Sequence, residues 1–522
     1  MSRLANNSKG LTPFALRQLY TACVTSIADY GSTIWWRGQA QFTTLLQKLQ
    51  NLPIKKILGV FKTTPILPME IESALPPPEV RLSSSLRMYT FRLLKLSPSH
   101  PVNHAIDKLL NTQATPRKKK PETPQLQRIH RSISNLYKLE DLEQIHHFHF
   151  PPWERETLYK VHISKLSKEE ETKFHLRLLQ NNSDNSIFIY TDASSTTTEN
   201  SQGIGVGLSV ISPQSNRIHY EKKVNIGPNK LVYNGEVEGA TLALVYNGEV
   251  EGATLAVEYA AKHARPGIHF HIYSDNQAGL RRLKTTSDNP GQECQIRAIT
   301  AARKAVSKGA TTTIHWVPGH TDIPGNEKAD KLAKAATTIQ PSTQLTSFAM
   351  LGVKIRQTQN KEWRQKLTTP PRHTEPSTNQ HSYRREFPWK ILSKPCVPQG
   401  TKREIASAFY QLKLGHGYFK SYLHKLGHTT NNRCRCGRQE TPTHLLLSCP
   451  ETGDARKVLK RNLLKHHIRE FTMKSLLHTA KGVEATLDFI RTTKIATRIW
   501  HTQRATEDEN EDEDEEDEDE EV

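Results

Sequence analysis

At about 150 residues per domain, a chain of 522 residues suggests three or four domains, and one compact fold is not expected. Apolar residues make up only 35% of it, and no apolar run approaches the ~18–20 residues of a membrane span or the h-region of a secretory leader, so the chain reads as intracellular with no membrane partner. The formal charge is +19, yet residues 507–521 hold 14 of the acids; the rest carries 72 basic against 39 acidic residues, a net +33 that points to nucleic acid as a partner.

In chain order, residues 1–110 read as helical. Thr12 followed by Pro13 is an N-cap with proline at the first helical position, and Leu16, Leu19, Tyr20, Cys23, Val24 and Ile27 follow at helical spacing. Phe42, Leu45, Leu46 and Leu49 repeat the pattern. Residues 111–185 read as a linker and helical connection. Its Arg117–Lys120 run reads either as a nuclear-import or phosphate-binding patch or as a solvated basic linker.

Residues 186–340 change character. Strand candidates at 187–190, 203–211 and 217–224 precede a helical stretch. Strand 269–274, a basic helix with Arg281, Arg282 and Lys284, a helix over 293–307, strand 311–317 and a helix from Asn326 follow. This order predicts an α/β domain with a sheet of mixed direction. A polar, proline-dotted linker is expected over 341–380, a helical basic region over 381–500 and an acidic disordered tail over 501–522.

Two acids directly follow strand candidates, Asp192 in IFIYTDAS and Asp275 in HFHIYSDNQ. A third opens an amphipathic helix in NGEVEGATLA, and Asp330 lies ten residues after His320 in GHTDIPGNEKAD. Four acids from separate segments can form the hard oxygen cage that Mg²⁺ demands. The third is ambiguous, because LVYNGEVEGATLA occurs twice, at 231–243 and 244–256, offering Glu236 or Glu249. If Glu236 were the ligand on a helix running straight through the second copy, 13 extra residues at ~100° each would turn the downstream apolar face some 140° away from its packing position. Asn247 and Gly248 would also weaken that helix from within. Glu249 is therefore favoured, with the first copy expelled as a loop or displaced turn; the upstream spacing speaks for Glu236.

Taken in order, YTDAS, the Glu of NGEVEG, YSDNQ and GHTDIPGNEKAD resemble the RNase H domain of the type attached to reverse transcriptases. The resemblance implies an RNase H-like mixed five-stranded sheet with flanking helices. It implies Asp192, Glu249 (or Glu236), Asp275 and Asp330 as ligands of two Mg²⁺, with Mn²⁺ as an alternative, and His320 as a helper in proton transfer or product release. Gln277 and Asn247 would contact the substrate, an RNA/DNA hybrid whose RNA strand is cut. A DDE-type integrase on the same fold suits the Gly319-His320 loop and Asp330 helix less well.

The flanks carry a second resemblance. LRQLYTACVTSIADYGSTIWWRGQ and MEIESALPPPEVRL, within 1–110, are similar to the region downstream of the polymerase palm in fungal-type non-LTR retrotransposon reverse transcriptases; Tyr-x-Asp-Asp is absent, so a fragment lacking the palm is expected. Six cysteines are too sparse for a disulfide scaffold, but Cys434, Cys436, His444 and Cys449 form C-x-C-x7-H-x4-C, which suits tetrahedral Zn²⁺ in a closed structural site. The surrounding LGHGYFKSYLHKLGH and HLLLSCP resemble the zinc-binding C-terminal segment of the same proteins. The competing reading is a non-catalytic nucleic-acid-binding relic whose duplication has broken the site.

Overall fold

The computed structural model describes residues 4–7, 9–97, 99–111, 125–137, 141–147, 149–151, 153, 157–180, 185–195, 203–212, 217–227, 238–342, 348–368 and 391–504. Glu236, the Arg117–Lys120 run and the acidic tail from 505 onward lie outside them. The chain forms two compact units, one of Met1–Ser85 with Gln359–Val522, the other of Leu86–Thr358. No described helix is long and apolar enough to cross a membrane.

The second unit is built on a sheet of order β1-β6-β5-β2-β3-β4. The strands are β1 (Lys160–His162), β2 (Ser186–Ser194), β3 (Gly205–Ser212), β4 (Arg217–Asn225), β5 (His269–Ser274) and β6 (Thr311–Trp316). β2 pairs parallel with β5 and antiparallel with β3, so the expected mixed direction is present. The expected count of five strands is corrected to six. The extra strand, β1, pairs parallel with β6 from within the range read as a linker. At three residues with exposed ends, it carries no apolar alternation that could have announced it.

Period-two alternation sends Ile189, Phe270, Ile272 and Ile314 to one sheet face, where they pack with the helices Glu238–His263, Gln277–Lys284 and Gln292–Ser307. Phe188, Tyr190 and Tyr273 go to the other face, against Ala329 of the helix Pro324–Ala336, Ile323 just before it, and Leu179 of the helix Lys168–Gln180. A further helix, Phe348–Thr368, occupies the range expected to be linker; Phe348, Leu351 and Ile355 bury one stripe of it against Ile133, Tyr137 and Leu142.

Of the first repeat copy, residues 231–237 lie outside the described residues, and the rest is helical. From Glu238 the chain is helical and runs unbroken through the junction to His263. Buried Val250, Ala253, Ala256, Val257, Ala260 and Ala261 show that the second copy and its sequel supply the packing face. Gly248, mid-helix, is what lets this helix sit on β2, for a Cβ there would come within 2.5 Å of the Ala193 Cβ. Glycine at that point costs about 1 kcal/mol of helix propensity, and the close approach requires it.

In the first unit, Thr12 caps the helix Pro13–Tyr20 by accepting from the Ala15 N–H, as the sequence suggests. The helix Ala40–Leu58 departs from expectation: Ile54, Ile57 and Leu58 are buried while Phe42, Leu45 and Leu49 face outward. Its last carbonyls are bound by residues more than 340 positions downstream. Arg403 donates to the Ile57 and Lys56 oxygens, and Gln411 to that of Gly59. Beside them a fully buried Lys413–Glu72 pair closes at 2.9 Å. The core of this unit therefore draws on both chain segments, Leu16, Tyr20 and Ile54 packing with Phe409, Leu446 and Ile490.

Candidate metal centres

The β2–β5 register pairs Thr191 with Ser274, so the next positions, Asp192 and Asp275, stand side by side at the C-terminal ends of two parallel strands. Glu249 is delivered beside them by the helix that Gly248 seats on Ala193. Each of Asp192, Glu249 and Asp275 offers a carboxylate oxygen within 4.8 Å of the others. The Ala193 N–H is shared between Asp192 Oδ1 (2.7 Å) and Glu249 Oε1 (3.0 Å), and Ser274 Oγ donates to Glu249 Oε2 at 3.0 Å. Both Glu249 oxygens are thus oriented by the strands it faces.

Three carboxylates so close, two of them buried and Asp275 half-buried, resist ionising together. Burial, and then the charge of Asp275, pushes the Asp192 carboxyl up from 3.8 to about 7. Burial first, then Asp192 and Asp275, holds Glu249 well above the ordinary carboxylate range. Asp275 is raised too, chiefly by burial, with His320 opposing the shift. A divalent cation at this point would reverse all three preferences, because it supplies the opposite charge the site lacks.

The remaining predicted residues stand around this trio. Asp330, on the helix Pro324–Ala336, is not within the 4.8 Å group; its Oδ2 accepts from Lys334 Nζ at 2.6 Å, although its charge is felt at both Asp192 and Asp275. His320 is exposed on the loop after β6, with φ +57°. Gln277 opens the helix Gln277–Lys284 and accepts from Arg281 at 3.0 Å. Asn247 lies in the long helix, its side chain outside the described set. Two roles escaped the sequence reading, although both residues lie in its motifs. Ser274 had a signal, being the polar residue that breaks the core-facing series Phe270, Ile272. Gly319 had none beyond being glycine: its Cα approaches Asp275 so closely that a Cβ would lie 2.2 Å from Oδ2.

The second centre is in the other unit. The ligand atoms of Cys434, Cys436, His444 and Cys449 all lie within 4.8 Å of one another. Cys434 and Cys449 Sγ are 3.7 Å apart, and Cys436 Sγ is 3.2 Å from His444 Nε2. A tetrahedron with ~2.3 Å metal–sulfur bonds has an S···S edge of about 3.7 Å, so the spacing suits a shared ion and not a disulfide. The fold makes this possible through a tight turn with Gly437 at φ +80°, in which Cys434 N–H donates to the Arg438 oxygen. Thr441 then caps the His444 N–H, and Cys449 N–H returns to the His444 oxygen. Ser448 Oγ lies 3.3 Å from Nδ1, steadying the ring with Nε2 toward the thiols. Burial pushes the Cys434 thiol up to about 12, a preference that a bound cation must overcome.

Residues 184–338 match the RNase H family, and the trio of carboxylates falls inside that match. No curated protein matches the chain. Among solved structures, RNase H1 from the halophilic archaeon Halobacterium salinarum NRC-1 is similar at 22% identity, covering 29% of this chain and 96% of that one, with a TM-score of 0.20. The N-terminal RNase H domain of Rv2228c from Mycobacterium tuberculosis, fused to maltose-binding protein, is similar at 19% identity over 29% of this chain and 98% of that one, TM-score 0.20. LC11-RNase H1 in complex with RNA/DNA hybrid is similar at 14% identity over 29% and 96%, TM-score 0.21.

Proposed function

We propose that the RNase H domain at residues 184–338 hydrolyses the RNA strand of RNA/DNA hybrids, with Asp192, Glu249 and Asp275 as ligands of catalytic Mg²⁺. The observation that carries this reading is the convergence of buried Asp192 and half-buried Asp275, from two parallel strands, with buried Glu249 from the helix beside them, within a match to that family. The donor set fits the ion, being all hard oxygen, and Gly319 leaves the Asp275 carboxylate a niche that any side chain would fill. When bound, two Mg²⁺, or Mn²⁺ in their place, supply an activated water and a stabilised leaving oxygen for in-line displacement at phosphorus.

The chain's own residues hold this arrangement ready. Ser274 and the Ala193 N–H fix both oxygens of Glu249, so that carboxylate needs no reorientation at the moment of reaction. Asp330 contributes a fourth carboxylate from the rim once it leaves Lys334. His320, exposed on its loop, carries a proton at the leaving oxygen or assists product release. Gln277 and Asn247 contact the hybrid, and the 2′-OH marks the strand to be cut. What supports this over a non-catalytic relic is that Glu249 keeps its place in the trio although the helix runs through the duplication. The full chain, given a labelled hybrid and Mg²⁺, should cleave the RNA strand, and Asp275→Asn should reduce cleavage to background while remaining folded; cleavage by Asp275→Asn near the parent rate overturns the assignment.

We also propose that Cys434, Cys436, His444 and Cys449 hold a structural Zn²⁺, with no ligand position left for catalysis. Less than half an equivalent of zinc in the purified protein, by elemental analysis, would count against it. The derivation of the chain from a retrotransposon reverse transcriptase rests on the resemblance of its flanks.

A further inference from the structure

The helix Ala40–Leu58 has two apolar sides, and the first unit uses one of them. Ile54, Ile57 and Leu58 are buried in its core. Phe42, Leu45, Leu49 and Leu52 are exposed, and they recur at steps of three, four and three residues. That is the a/d spacing of a helix that pairs with another helix, a narrower stripe than a core-facing helix carries.

The stripe continues into the turn before the helix. Trp35 meets Phe42 edge-on, 5.8 Å between ring centres, and its Nε1 donates to the Tyr30 oxygen at 2.9 Å. On that side Ile27, Tyr30 and Ile34 are exposed by 73% to 85%. With the stripe, the exposed fractions amount to about four whole side chains, on the order of 800 Å² at the ~150–250 Å² of a large side chain. Monomers keep their largest apolar patch to ~300–600 Å², whereas a stable dimer buries about 800 Å² on each partner. Charge identifies the occupant. From residue 21 to residue 54 the only charged side chains are Asp29, Arg37 and Lys48, and Asp29 is paired with Arg81 at 2.6 Å. The rest of a body carrying +33 repels its own copies, so this nearly neutral window is where two of them meet with the fewest like charges opposed.

We propose that this face joins two copies of the chain, each laying the stripe of Phe42, Leu45, Leu49 and Leu52 against that of the other about a two-fold axis, with Ile27, Tyr30 and Ile34 covered beside it. An a/d stripe is self-complementary, which is what a two-fold interface demands. The inference stands independently of the hydrolytic reading.

The test is sedimentation velocity of the full chain from about 1 to 100 µM. The protein is treated with nuclease and held in about 0.5 M salt, which removes nucleic acid that would bridge basic copies. The buffer is reducing, because Cys23 is exposed. The parent should pass from monomer to dimer across this range. Leu45→Glu combined with Leu49→Glu, which alters exposed positions alone, should raise the dissociation constant by about a hundredfold or more and leave a monomer throughout. Leu464→Glu, at a comparably exposed leucine of the helix Gly453–Lys465, should leave the dimer unchanged. Circular dichroism identifies any variant that fails to fold. Hydrogen exchange in the parent reads the same contact without a mutation, since protection of residues 40–52 should rise with protein concentration. A parent that stays monomeric at the highest concentration overturns the proposal and leaves the face to a different protein; a monomer that floats with zwitterionic lipid vesicles overturns it in favour of a lipid surface. A dimer that survives the paired substitution, or that Leu464→Glu disrupts equally, overturns it as well.

Discussion

Replacing Gly319 by alanine separates the position of one carboxylate from the stability of the fold around it. The added Cβ would lie 2.2 Å from Asp275 Oδ2 and 3.2 Å from its Cγ. Ordinary carbon–oxygen contact needs ~3.5 Å, so the carboxylate or the loop must move by about 1 Å. Metal ligands tolerate about 0.2 Å, and a ~1 Å misplacement at a reacting centre costs about a hundredfold in rate. The backbone itself does not object, because Gly319 is not among the glycines at positive φ. Overpacking at one partly exposed loop costs about 1–3 kcal/mol, which a unit of this size survives. The expected outcome is a folded protein, with a melting curve close to the parent's, whose hybrid cleavage in Mg²⁺ is reduced by about a hundredfold or more. Cleavage at the parent rate would refute the close approach or the use of Asp275, and a loss that merely tracks unfolding would refute the separation.

Hybrid cleavage should be lost in Glu249→Gln and kept in Glu236→Gln; the reverse pattern would move the ligand to the first copy. Without divalent cation, the raised carboxyl of Asp192 contributes stability that is complete below pH 3.8 and is lost as pH rises through about 7. Added Mg²⁺ should therefore raise the melting temperature more and more across that window, and a pH-independent Mg²⁺ effect would contradict the ligand set. Cys449→Ser should release the metal and loosen the first unit, read by hydrogen exchange, while residues 184–338 keep their protection; loosening of both units alike would show that the centre is not local.

Where a segment buries one face against its immediate neighbours, periodicity announced it. The strands of the mixed sheet and the helix Gln292–Ser307 appear within a few residues of their expected bounds, because alternation and helical spacing survive in a single stretch of chain. Asp192 and Asp275 were visible for the same reason, each being the acid at the end of an apolar run. What escaped depends on partners distant in sequence. β1 is a strand only because β6 offers it an edge, and Phe348–Thr368 is a helix whose polar remainder masks its short buried stripe. The course of the repeat turned on Gly248, read from the sequence as a weak point in a helix and found to be the contact that seats it.

The pairing of Glu72 with Lys413, and of the helix Ala40–Leu58 with Arg403 and Gln411, sets a timetable for synthesis. Residues 86–358 must be made between the two halves of the first unit. At ~5–20 residues per second, the ribosome takes roughly 14–55 s to make those ~270 residues. During that interval Leu16, Tyr20, Ile54 and Ile57 lack the later-made partners Phe409, Leu446 and Ile490, whereas the mixed sheet can close as soon as its own last helix emerges. The unit that carries the sheet can thus complete its core while the earlier-made segment, residues 1–85, still awaits its second half.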